Sequence, residues 1–300
     1  MKGKLATLGI VLILSALIVS GCGTTKKVDV DIPNVEVDVP NVKVNVDVPN
    51  VEVDVPNVKV NVDVPNVEVD VDVPNVEATG VIQGSGNMVI EDKPVGDFNR
   101  VSLTGVGEVI ITQGKEESLT VQADANLMPY IKAEVKNGTL ILDFTDEVKN
   151  KHIRPTERIK FNLSVKDITG LDISGAGDVN VASLNTDRLE IVVGGAGDVN
   201  ITLLTAEELV AHLNGAGNVK LAGQVTEQNV EINGFGAYQA AKLESQTAIV
   251  GVNGAGSATL WATDTLDVRI PGAGSVTYYG NPSVTKKITG VGTIISRGSL

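Results

Sequence analysis

Seven copies of Gly-x-Gly begin at Gly175, Gly195, Gly215, Gly234, Gly254, Gly272 and Gly290, at spacings of 20, 20, 19, 20, 18 and 18 residues. No other feature constrains the fold as much. One unit of that size cannot bury an apolar face alone, so the units must stack. Aligned on the first glycine, the copies give apolar columns. Ile173, Val193, Leu213, Ile232, Val252, Ile270 and Ile288 stand two residues before it. Four residues after it come Val179, Val199, Val219, Tyr238, Ala258, Val276 and Ile294. Six after it come Val181, Ile201, Leu221, Ala240, Leu260, Tyr278 and Ser296. The positions between are mostly polar or small, which is the period-2 pattern of half-buried strands. The expectation is an all-β fold, a right-handed parallel β-helix (solenoid) with rungs of about 20 residues, preceded by a low-complexity stalk. Asn214, Asn233 and Asn253 precede consecutive glycines, so stacking would align them in an amide ladder. The rival arrangement reads Asn-Gly as hairpin turns of an antiparallel meander. The constant period, and Ser174, Gly194 or Pro271 at that place in other copies, favour the helix.

The N-terminal part carries different signals. Lys2 and Lys4 precede an apolar stretch over residues 5–19, too short for a membrane span of about 20 residues but suited to a signal peptide. The stretch ends in Val19-Ser20-Gly21-Cys22, which resembles the lipobox of a bacterial lipoprotein precursor. That resemblance implies a signal peptide over 1–21, cleavage before Cys22, and lipid on the Cys22 thiol as a membrane anchor. From residue 22 to 79 the chain reads as a stalk. The 16-residue unit DVPNVKVNVDVPNVEV runs over 38–53 and repeats unchanged over 54–69. Residues 28–77 hold 12 acids against Lys43 and Lys59, a net charge of −10 out of −13 for the whole chain. Regular prolines break long strands and like charges repel, so an extended spacer is expected. A narrow solenoid with Pro-Asn corners is the alternative.

Residues 80–300 form the expected head. The stretches FNRVSLTGVGEVIITQG, LTVQADANLMPYIKAEVKNGTLIL, the repeated ISGAGDVNV and the ending GAGSVTYYGNPSV…ITGVGTI resemble the head GIN domain family, described as putative auto-transporter adhesins. The resemblance implies an exported, repetitive β-helix domain, often carried on lipoproteins. It supplies no catalytic residues.

The candidate chemistry is sparse. An acidic chain lacks the electrostatic footprint for nucleic acid. One cysteine and two histidines exclude a disulfide framework and an imidazole- or thiolate-rich metal cage, and no cofactor is expected. GGAGDVNI, at 194–201, continues as a strand and has no P-loop lysine, which argues against a phosphate cradle. Asp178 and Asp198 on adjacent rungs are the only metal candidates, and solvated turn aspartates are the simpler reading. The same pair is the only pair of carboxylates for the enzymatic alternative, a polysaccharide-active lyase or hydrolase. His152 reads as part of a charged loop, and His212 as a surface residue. Trp261 and Tyr279 each lie seven residues after a repeat glycine, so alternation turns both outward, where they could stack on a sugar or an aromatic partner. Capping of the solenoid end is their other explanation. The resulting expectation is a non-enzymatic, lipid-anchored protein of the cell surface or outer membrane. It would bind membrane through its anchor and a glycan or protein through its head.

Overall fold

The computed structural model describes residues 80–299, which form a β-solenoid of about six turns. The expected signal peptide, Cys22 and the expected stalk lie outside the described residues. The long strands Val199–Leu213, Asn218–Ile232, Ala237–Val252 and Ser257–Ile270 pair in parallel, each with the next. Their register puts Val199, Val219, Tyr238, Ala258 and Val276 in one column, all buried. The column two residues before the glycines is buried from Ile173 through Ile270. Valine, isoleucine and leucine suit these positions because branched side chains fill a pleated surface, and each buried one contributes about 1.5–3 kcal/mol. Asn233 donates to Asn214 and Asn253 to Asn233, each at 2.7 Å, so the amide ladder forms as expected.

The corner glycines are required for space. Gly195 and Gly197 are not among the residues with positive φ. A Cβ on Gly195, however, would sit 2.0 Å from the Gly175 carbonyl oxygen, and one on Gly197 2.0 Å from that of Gly177. Backbones meet at the corner because the Ile173 carbonyl accepts from both Gly194 and Gly195, and the Gly175 carbonyl from Ala196. Only a residue without a side chain permits that approach.

The interior also holds polar groups. Tyr238, Gln228 and Ser245 are almost fully buried. The Tyr238 hydroxyl donates to Gln228 Oε1 at 2.8 Å. Gln228 Nε2 donates to Ser245 Oγ at 2.7 Å and to the Trp261 carbonyl at 3.2 Å. Tyr238 is paired with Ala258 on the next rung, and Gln228 with Ala248. Small residues thus make room for the two large ones, and the network satisfies the buried polar atoms.

The N-terminal end departs from a plain stack. Gly105-Val106-Gly107 forms an eighth corner, with Gly175 resting on Gly105. The strand Arg100–Leu103 lies between Gly170–Ile173 and Thr139–Phe144, parallel to both. Val106–Gln113 lies likewise between Ala176–Val181 and Lys160–Val165. Residues 139–165 therefore occupy the outermost rung although they follow 100–113 in sequence. Antiparallel strands finish this end: Ser118–Asp124 on Lys160–Val165, Met88–Lys93 on Ser118–Asp124, and Ile131–Lys136 on Thr139–Phe144. His152, expected in a loop, stands in a short strand, His152–Arg154, paired in parallel with Val81–Gln83. At the other end the last rung, Ser283–Ile288 and Thr293–Ser296, exposes Ile288, Val291 and Ile295.

Candidate functional site

The acid column is tied into the stack. Glu108, Asp178, Asp198 and Asn218 stand on successive rungs. Asp178 forms an ion pair with Arg158 beside a hollow of about 250 Å³. Its other oxygen accepts the Asp198 amide at 3.3 Å, and Asp198 Oδ1 accepts both the backbone and side-chain N–H of Asn218 at 2.9 Å. Each carboxylate therefore caps the next rung. Among the described residues no group of three or more His, Cys, Asp or Glu could hold a metal ion. Sequence reading missed Arg158 because the charged run that contains it lies outside the repeat.

The two aromatics meet as their spacing implied. Trp261 pairs directly with Tyr279 on the next rung, and both are half-buried. Leu260 and Ala262, on either side of Trp261, are fully buried, so alternation turns the indole outward. Its Cδ1 lies 3.1 Å from where a Cβ on Gly280 would stand, and the glycine leaves room for the ring edge. His212 Nδ1 lies 3.5 Å from Glu231 on the neighbouring rung. His152 is not brought near it by any strand pairing.

A larger cleft, about 680 Å³, opens on the outer face before this aromatic pair. It arises where the stack is irregular. Ala240 pairs with Leu260 and Glu244 with Trp261, so Ala241, Lys242 and Leu243 have no partners on the following rung. This bulge shortens the repeat from 20 towards 18 residues, and a separate register shift after Lys220 sets Lys242 opposite Ala222. Asn200, Lys220, Gln239 and Thr259 form one outward row along the cleft, and Ala222 and Ala241 also line it. These residues lie between the apolar columns and carry no periodic signal of their own. The departure from a 20-residue spacing after Gly254 was the available signal.

Among the described residues, no helix is long and apolar enough to cross a membrane. A parallel solenoid with an outward cleft and an aromatic pair defines a repeat protein with an extended outer surface. The family model described as "Putative auto-transporter adhesin, head GIN domain" matches residues 97–282, and the chain belongs to that family. The crystal structure of "a putative adhesin" from Bacteroides fragilis NCTC 9343 is 30% identical, with a TM-score of 0.67, covering 72% of this chain and 99% of that one. A "Putative lipid binding protein" from Parabacteroides distasonis ATCC 8503 shares the fold at 24% identity and a TM-score of 0.59, covering 72% and 99%. "A putative adhesin" from Parabacteroides merdae ATCC 43184 shares it at 20% identity and 0.54, with the same coverage. No curated protein matches the chain.

Proposed function

We propose that this protein is a lipid-anchored, extracytoplasmic binding protein whose solenoid head displays its outer face for adhesion. The observation that carries the reading is the outward cleft that runs to Thr259, two residues before the paired Trp261, in a family described as adhesin heads. The hydrolase form of the enzymatic alternative asks for two opposed carboxyls flanking a substrate. No carboxylate lines the large cleft, and Asp178 and Asp198 are engaged by Arg158 and Asn218, which supports binding over turnover. The lipobox-like sequence ending in Cys22 supports the anchor.

Two measurements test this. Cell fractionation with external protease should find the wild-type head membrane-bound and cleaved on intact cells, and Cys22→Ser should release it from the membrane. A glycan array with the mature chain should show signals that Trp261→Ala reduces. Protection from protease on intact cells would overturn the adhesin reading, and equal array signals for the two proteins would remove the aromatic pair from it.

A further inference from the structure

We infer that the large cleft binds an acidic polysaccharide, a chain of carboxylated sugars, with Lys220 and Lys242 pairing to its carboxylates. The inference rests on the binding function proposed above and names the ligand class.

The charge pattern points that way. The head is acidic, with 18 Lys and Arg against 25 Asp and Glu between residues 78 and 300. Between Gly170 and Gly280 there are four cations. Arg188 pairs with Glu208 and Arg269 with Asp267. The other two are Lys220 and Lys242. Both line the cleft, both are exposed, and neither has an acid within 4.0 Å among the described residues. Along this stretch of the solenoid the two cations without an acid partner meet in one concavity, which makes it a local site for negative charge. Lysine presents a point charge on a flexible stem, which suits carboxylates spaced along a chain.

The rest of the lining suits sugar. The cleft volume falls within the roughly 300–1,000 Å³ of small-ligand sites. Asn200, Gln239 and Thr259 offer donors and acceptors at the rung spacing of about 4.8 Å, a row matched to a polymer lying along the solenoid axis. The two alanines leave space for the apolar face of a ring. Bulges are over-represented beside functional sites because they re-aim a side chain, and here the bulge at Ala241–Leu243 carries Lys242 to the cleft.

The test is affinity electrophoresis of the mature chain through gels containing polygalacturonate, its fully methyl-esterified form, or dextran. Retention by polygalacturonate should exceed that by the ester and fall as salt is raised. Lys220→Gln/Lys242→Gln should weaken it at least about tenfold, equivalent to about 1.4 kcal/mol. Lys286→Gln/Lys287→Gln removes the same charge from the last rung and should leave retention within about twofold, as expected for distant screened charges. Thermal melts should match for all three proteins, since the four lysines are exposed. Equal losses in the two double variants would reduce the effect to net charge and overturn the site. Equal retention by acid and ester would overturn the acidic ligand while leaving glycan binding intact. Retention by none of the three polymers, with signals for other glycans on the array, would overturn this inference alone.

Discussion

Three glycines in GGAG, residues 194–197, should respond oppositely to alanine although they are neighbours in sequence. At Gly194 a Cβ meets nothing within 4 Å and φ is not positive. At Gly195 it would sit 2.0 Å from the Gly175 oxygen and 2.6 Å from the Ser174 oxygen. At Gly197 it would sit 2.0 Å from the Gly177 oxygen and 2.8 Å from Ile173 Cγ2. Ordinary van der Waals contact begins at 3.4 Å, so the two rungs would have to part by more than 1 Å at the corner. Such a shift stretches the hydrogen bonds from Gly195 to Ile173 and from Ala196 to Gly175, now 3.0 and 3.1 Å. Overpacking costs about 1–3 kcal/mol and each of the two weakened hydrogen bonds about 0.5–1.5 kcal/mol, for about 2–6 kcal/mol in all. For a domain of this size, at about 2–4 °C per kcal/mol, that lowers Tm by about 4–24 °C. Gly194→Ala instead restricts the unfolded chain and should stabilise by about 0.4–1 kcal/mol. Circular-dichroism melts of the three single variants decide the matter. If Gly195→Ala and Gly197→Ala melt with the wild type, close backbone approach is not what holds glycine at the corners.

Tyr238→Phe leaves Gln228 Oε1 without its donor inside the core and should cost about 1–3 kcal/mol in urea unfolding, whereas Tyr279→Phe should fall within about 0.5 kcal/mol of wild type. Asp124 is fully buried. Burial works to raise its pKa, but hydrogen bonds from the Thr156 hydroxyl and amide and the Gly86 amide outweigh it and hold the carboxyl below the usual range. A depressed folded pKa stabilises the head above the ordinary carboxylate value, and that contribution fades as pH falls through the folded value. Asp124→Asn should therefore melt below wild type at pH 7, and the gap should narrow on acidification. A gap that widens with acid would reverse the assignment.

The stacked head was legible because its repeats are local and its core columns are almost wholly apolar, in step with a period near 20. Val199 and Ile201 face inward as alternation requires, and Trp261 meets Tyr279 in register. The N-terminal end was illegible for a physical reason. Gly105-Val106-Gly107 fits the corner pattern, but its partner lies 70 residues away and the intervening strands pair in both directions. The cleft was hidden because a bulge changes which residues face outward, and Lys242 reaches it only by breaking the columns used to read everything else. Arg158 could not be assigned to Asp178 from spacing alone.

The displaced rung at the N-terminal end also sets an expected order of assembly. Arg100 pairs with Thr139 and with Gly170, whereas later rungs reach partners 18–20 residues away. Closing a 70-residue loop instead of a 20-residue one costs about 1.1 kcal/mol more in chain entropy, and non-local pairing slows folding. The C-terminal turns can thus zip up one after another, while the other end waits for a distant strand to thread between two others. A chain shortened by one whole repeat near its C-terminus should fold at nearly the wild-type rate. The slow step belongs to the end where sequence order and spatial order part company.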